Sequence, residues 1–239
     1  MPTRKMSKKN KPNPFKLIAK VLMKIVLWFL AITFAWVLLY KFINPPVTYL
    51  MLQRGFEKQW EGKSWKLQKR WKNYDEISNN LKKATIAGED ARFMVHNGFD
   101  FKAMERAFER NKSGKKLRGG STISQQTAKN VFLWGGRSYL RKGFEAYFTV
   151  LIELLWSKQR ILEIYLNVIE TGDGMYGVQV ATQTYYGTGC QSLSKAKAAL
   201  LIACLPNPRR WNPAQPTPYI YHRQYLILRN MRNLSRVRL

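Results

Sequence analysis

The sequence predicts a mainly α domain carried behind one transmembrane helix. Three observations predict it. An uncharged apolar run lies near the N-terminus, apolar residues recur at helical spacing through most of the remaining chain, and alternating strand patterns are few.

Residues 25–40 read IVLWFLAITFAWVLLY without a charge. Adding residues 17–24 gives a segment long enough to cross a hydrocarbon core of about 30 Å. Lys20 and Lys24 fall in its first turns and reach back to the headgroups by snorkelling. Arg4, Lys5, Lys8, Lys9, Lys11 and Lys16 precede the run without one acid, so the N-terminus is expected to stay cytoplasmic and the rest of the chain to lie outside. A cleaved signal peptide is the competing reading. Its apolar region runs to only about 7–15 residues before a small-residue cleavage site, whereas this run ends VLLYKFINPP. The organisation is then a basic tail (1–16), a transmembrane helix (17–40), a membrane-proximal connector (41–75) and the main domain (76–239). Asn44-Pro45-Pro46 stops the helix as it leaves the bilayer. Trp60, Trp65 and Trp71 mark the connector either as a membrane-hugging segment or as a short strand with loops.

Composition limits the function. The 239 residues hold 41 Lys+Arg against 14 Asp+Glu, a net charge of +27 that calls for an anionic partner. Outside the cytoplasm that partner is an anionic membrane lipid or a lipid phosphate, not nucleic acid. Two Cys and two His exclude a disulfide scaffold and a Cys/His zinc cluster. Cys204 falls in an apolar helix and reads as a buried thiol, with a disulfide to Cys190 as the alternative.

The elements follow in order. Ile77, Leu81, Ala84, Gly88 and Ala91 keep helical spacing and predict a helix over 76–95. Phe101, Met104 and Phe108 predict another, capped by Asp100. The basic stretch 111–120 reads as mobile. Thr122 and Gln125 make a capping box opening a helix to Phe132. Leu140, Phe144, Phe148, Leu151 and Leu155 lie on a long apolar helix, and a further one runs from Ser157 to Asn167. TGDGMYG at 171–177 reads as a glycine-rich loop. Helices over 178–186, 194–205 and 218–237 complete the chain, the middle one stopped by Pro206 and Pro208.

Three clusters carry chemistry. In EDARFMVHNGFD, a continuous helix puts Glu89, Phe93 and His96 on one face, and a carboxyl beside an aromatic gains a raised pKa suited to a general base. Asp90 bonds a neighbouring turn. In GGSTISQQTAKN, Gly119 and Gly120 lead into a helix N-terminus that presents backbone amides to an anion, and Lys129 stands one turn beyond Gln125. In RSYLRKGFE, Arg137, Arg141 and Glu145 recur every four residues, a solvated ladder when taken alone and a pair of phosphate-binding guanidinium forks when taken with the preceding cluster.

Together these runs resemble the family 51 glycosyltransferases, the peptidoglycan glycosyltransferases. EDARFMVHNGFD resembles the first family motif (E-D-x-x-F-x-x-H-x-G-F-D) and GGSTISQQTAKN the second. RKGFE resembles the third motif and KQRILEIYLN the fourth, with GMYGVQVATQTYYG and LSKAKAALLIACLPNP similar to the fifth region. Departures are small: Ser124 stands for a frequent Thr, and Gln179 and Thr182 for a frequent Glu or Ala. An anchor with one domain is closer to the monofunctional biosynthetic transglycosylase branch than to the bifunctional penicillin-binding proteins. S-x-x-K, S-x-N and K-[ST]-G fragments at 192–195, 78–80 and 112–114 do not follow that order along the chain and read as accidents.

The resemblance implies a lysozyme-like fold with a small membrane-proximal lobe. It implies polymerisation of lipid II, with inversion, into β-1,4-linked glycan strands and release of undecaprenyl pyrophosphate. The setting implied is the periplasmic face of a bacterial inner membrane, with lipid II, the growing glycan strand and cell-wall synthesis proteins as partners. Glu89 would be the base and Glu145 the second catalytic glutamate. Lys129 and Arg137 would hold the pyrophosphate, assisted by Ser121, Gly119 and Gly120, with Gln125, Arg141 and Asp90 lining or arranging the site. Glu163, Asn167 and His96 read as structural. No cofactor is required, with Mg²⁺ or Mn²⁺ left open. The alternative is a membrane-anchored lytic enzyme of the same fold, since one helix-borne glutamate also suits hydrolysis.

Overall fold

The computed structural model describes residues 14–112, 120–136 and 138–234. Ten α-helices dominate these residues, with one small sheet. Helix α1 (Pro14–Phe42) is followed by α2 (Tyr49–Trp60), strand β1 (Gln68–Lys69) and α3 (Asn79–Glu89). Then come α4 (Phe101–Lys112), α5 (Ile123–Phe132), α6 (Tyr139–Leu155) and α7 (Lys158–Val168). The hairpin β2 (Glu170–Gly172) and β3 (Met175–Tyr176) leads into α8 (Val178–Tyr186), α9 (Lys195–Cys204) and α10 (Pro218–Asn233). The strands order β1-β3-β2, with β1 parallel and β2 antiparallel to β3. The mainly α prediction therefore holds.

Local chemistry explains most boundaries. Ser78, Thr122, Ser138, Ser157, Ser194 and Thr217 each accept a backbone amide at the start of a helix. Pro218 follows its cap at the first helical position, where the missing N–H costs nothing. Gly187, at φ +65°, closes α8 in the left-handed conformation.

The sequence reading differs in three places. The helix predicted over 76–95 ends at Glu89, and residues 91–98 form turns. The connector, read either as a membrane-hugging segment or as a short strand with loops, contains the helix α2 before its short strand. The loop at 171–177 is a tight β-hairpin. The stretch expected to be mobile lies mostly outside the described residues.

Helix α7 is the centre of the packing. Residues 161–168 are all buried, so this helix is surrounded on every side. Helix α5 packs on α6 and α7, and Phe132 stacks on Phe148 with ring centroids 4.6 Å apart. Helix α9 lies against α3 and α10. Gly88 allows that approach: a Cβ there would stand 2.8 Å from the Ile202 side chain. Asn167 ties the connector to the core. Its Oδ1 accepts from the Lys72 N–H, and its Nδ2 donates to the Lys72 and Glu163 carbonyls, all at 2.8 Å. Glu163 in turn accepts from Trp71 and pairs with Arg160, both at 3.2 Å. Both residues have the structural part read for them. Cys190 and Cys204 are free and buried.

Helix α1 has a stretch, Phe15–Phe42, long and apolar enough to cross a membrane. Its C-terminal half does not stand clear of the domain. Phe29 packs on Phe144 and Tyr147, and Thr33 shares a 2.6 Å hydrogen bond with the Tyr147 hydroxyl. Trp36 meets Phe132 edge-on at 5.2 Å, and Trp156 donates to the Val37 carbonyl at 2.9 Å. The last carbonyls of a helix lack partners within it. Here Arg160 donates to the Tyr40 carbonyl and, just past the helix end, to the Ile43 carbonyl and Asn44 Oδ1, while Lys69 donates to the Pro45 and Pro46 carbonyls of the following turn. Two side chains of the folded domain thus hold the end of the apolar helix and the turn after it.

Asn167→Ala leaves both backbone groups of Lys72 without their side-chain partner. A loss of about 2–4 kcal/mol in unfolding free energy is expected, measured by urea denaturation of the detergent-solubilised protein.

Candidate active site

Glu89 is the last residue of α3, and Asp90 terminates the helix with φ −159°. The Asp90 carboxylate explains the stop. It accepts the Ile123 N–H, the first amide of α5, at 3.0 Å, and meets His96 Nε2 at 2.9 Å. Continuing the helix would carry it away from both partners. This overturns the expectation that Glu89, Phe93 and His96 share one helical face. Phe93 is fully buried, with the Lys158 ammonium 4.7 Å from its ring centroid. His96 is buried against Asp90, the structural part read for it.

The turn beyond is closed by Gly98 at φ +86°, where a Cβ would also stand 2.8 Å from the Thr149 methyl. Its carbonyl accepts the Thr122 hydroxyl at 2.6 Å. Asp100 caps α4 through the Ala103 N–H, as predicted. The first motif is therefore a joint that locks the end of α3 to the start of α5.

Within α5, Gln126 and Lys129 alone keep some solvent contact. Three residues apart, they share one face. Gln126 Nε2 donates to Glu89 Oε2 at 3.0 Å. Gln125, expected to line the site, is instead buried, and its Oε1 accepts the Thr122 N–H in the capping box. Asp90 likewise is buried with its partners already in place, so it arranges the site from behind. The doublet Gln125-Gln126 thus divides its work: the first side chain starts the helix and the second reaches the carboxylate.

On α6, Arg141 donates to Glu145 Oε2 at 2.7 Å, and Lys142 donates to Glu145 Oε1. Glu145 and Arg141 are 3% and 8% exposed, which excludes the reading as a solvated ladder. Lys142 also reaches the Ser121 hydroxyl at 3.5 Å. Gly119 and Arg137 lie outside the described residues.

Electrostatics connects the two carboxylates through Lys129. Burial raises the Glu89 carboxyl above the usual glutamate value, against the stabilising Gln126 hydrogen bond and the charges of Arg223 and Lys129. Burial lowers the Lys129 ammonium. Glu145 is the largest influence holding that proton on, Arg141 and Lys142 oppose it, and Glu89 assists. The Glu89 carboxyl and the cations Arg141 and Lys142 therefore all lie within electrostatic reach of Lys129. Of the residues expected at the site, Arg141 and Glu145 are in contact, Lys129 is electrostatically coupled to both and to Glu89, and Ser121 lies against Lys142. Gln126, Tyr165 and Arg223 were not singled out from sequence. The period of α5 links Gln126 to Lys129, while Arg223 on α10 has no local signal. Among the described residues no group of three or more His, Cys, Asp or Glu is placed to hold a metal ion.

Residues 58–232 match a family model described as Transglycosylase. The chain belongs to the transglycosylase family. A relative named Biosynthetic peptidoglycan transglycosylase from Pseudomonas syringae pv. tomato is 49% identical over 220 residues, covering 92% of this chain and 93% of the relative. One of the same name from Caulobacter vibrioides is 50% identical over 208 residues, covering 87% and 88%. The family match takes in every described site residue, from Glu89 on α3 to Arg223 on α10.

Glu145→Gln removes the strongest influence keeping Lys129 protonated. The Lys129 pKa then falls further, and the alkaline limb of any activity that needs this charge moves to lower pH. A rate–pH profile of variant and parent checks the direction; an unmoved limb contradicts the coupling.

Proposed function

We propose that the chain is a peptidoglycan glycosyltransferase that polymerises lipid II into glycan strands for the bacterial cell wall. The observation that carries this reading is the pairing of one raised, hydrogen-bonded carboxyl, Glu89, with the cations Lys129, Arg141 and Lys142. Polymerisation asks for that inventory. The 4-hydroxyl of an acceptor sugar attacks the anomeric carbon of the donor chain, and the bond from that carbon to pyrophosphate breaks. The hydroxyl proton passes to Glu89, and inversion requires this base to act on the face opposite the leaving group. A raised pKa brings the carboxylate's basicity closer to neutral pH, while Gln126 keeps its ionised form available. The departing pyrophosphate needs its growing charge neutralised and needs no proton from an acid.

Lys129 supplies a positive charge between Glu89 and Glu145. Arg141 is held by Glu145, and Lys142 lies more exposed beside Ser121, with Arg137 added to the set by the family motif. With the charge at pyrophosphate supplied by side chains, a divalent cation is not required in this reading. Glu145 arranges these cations and keeps Lys129 charged. The apolar helix α1 serves as a single-pass anchor with its basic end cytoplasmic and the domain on the periplasmic face. Anchoring confines enzyme and lipid-linked substrate to the same bilayer, raising their effective concentration. The net positive charge adds attraction to anionic headgroups. Assembly with other cell-wall synthesis proteins fits the same setting.

Purified full-length protein incubated with labelled lipid II should yield long glycan chains. Glu89→Gln should lower the rate by about 100-fold or more, while binding of a phosphoglycolipid analogue of the donor is retained. Lys129→Ala should instead weaken that binding. Near-normal turnover by Glu89→Gln sinks the base assignment, and digestion of sacculi without polymer formation makes the protein a lytic enzyme.

A further inference from the structure

The buried phenol of Tyr165, on the central helix α7, lies behind Gln126. Its hydroxyl donates to Gln126 Oε1 at 3.3 Å, while the other end of the same amide donates to Glu89 at 3.0 Å. Three elements are thus joined in one line: α7 through the phenol, α5 through the amide and α3 through the carboxyl. We propose that Tyr165 is a positioning residue for the transfer reaction: by donating to the Gln126 carbonyl, it turns the amide so that N–H, and not C=O, faces Glu89. The proposal rests on Glu89 being the base.

A glutamine amide has two ends of nearly equal shape and opposite character. Facing Glu89 with N–H, it favours the carboxylate; facing it with C=O, it favours the protonated acid and so the wrong starting state for a base. The glutamine alone does not choose once Glu89 takes up a proton, because a carboxylic acid can donate to the flipped carbonyl. Tyr165 breaks the symmetry. Its side chain is fully buried, so its O–H has no water to turn to. A flipped amide would leave that proton without an acceptor, a costly loss in the interior. Burial, together with the charges of Glu89 and Asp90, holds the phenol far above its ordinary pKa, so the donor keeps its proton.

The titratable and charged groups facing Glu89 are Asp90 beside it, Lys129 on α5, Tyr165 on α7 and Arg223 on α10. Lys129 and Arg223 also favour the carboxylate, by charge and not by direction. The relay differs from them in acting through one oriented hydrogen bond, and that difference can be measured.

The test uses full-length protein in detergent with lipid II, comparing Tyr165→Phe, Gln126→Leu and the double variant. Losing the oriented donor raises the Glu89 pKa, so the acid limb of the rate–pH profile should move to higher pH. The rate of Tyr165→Phe at the acid end should fall about 5-fold, with recovery towards the parent rate as pH rises and with KM unchanged. Gln126→Leu should move the limb at least as far. In the double variant the loss of Tyr165 should add nothing, because its effect passes through Gln126. Titration of ¹³C-labelled glutamate carboxyls, with the Glu89 signal assigned by its loss in Glu89→Gln, reads the same shift without catalysis. An unmoved Glu89 titration in Tyr165→Phe, or additive shifts in the double variant, overturns the relay. A moved titration in a protein whose Glu89→Gln variant still turns over leaves the relay standing and overturns the base assignment instead.

Discussion

The Asp90 carboxylate is the interaction on which the site depends. It ends α3 one residue after Glu89 and holds the first amide of α5, so two helices distant in sequence meet at one side chain. His96 completes its hydrogen bonding, and Lys158 fastens the His96 carbonyl at 2.6 Å from the start of α7. Remove the carboxylate and nothing else in this group holds the end of α3 to the start of α5. The geometry of Glu89, Gln126 and Lys129 is therefore a consequence of how one helix stops.

Around that joint, unfavourable burial is balanced by charge. Burial disfavours the ammonium at Lys129 and the carboxylate at Glu89. Glu145 and Arg223 act against these two tendencies from opposite sides, α6 and α10. Arg141 and Lys142 keep Glu145 itself compensated. A network of this kind is more sensitive to removal of one member than to its solvent exposure, because each remaining charge is left in a poor dielectric.

Much of this was legible in the sequence, for identifiable reasons. Apolar spacing located most of the helices after α4, and the Thr122–Gln125 capping box the start of α5, because those signals are local. Asp100 was read as a cap and proved to be one. The failures have separate physical reasons. Residues 91–98 keep helical spacing, yet a tertiary contact of Asp90 outweighs helix propensity there. Helix α2 opens on Thr48, an ordinary cap, but its mixed face hid the period. The Asp173-Gly174 pair is a hairpin signal that was passed over as part of a glycine-rich loop. At the site, family motifs pointed to Glu89, Lys129 and Glu145. They did not tell Gln125 from Gln126, although the Thr122–Gln125 capping box is itself readable and commits the Gln125 side chain to the helix start. Arg223 was beyond reach, because its relation to Glu89 is made entirely by the packing of α10 on α3.

The clasp on α1 has a mechanical consequence. Trp36 presses on Phe132, the final residue of the helix that carries Gln126 and Lys129, and Arg160 grips the carbonyls where the apolar segment stops. The segment is a mast stepped into the hull and not a mooring line. These contacts join the segment to α5 and α7, so the lean of that mast in the lipid and the bearing of the face that carries Gln126 and Lys129 are set together.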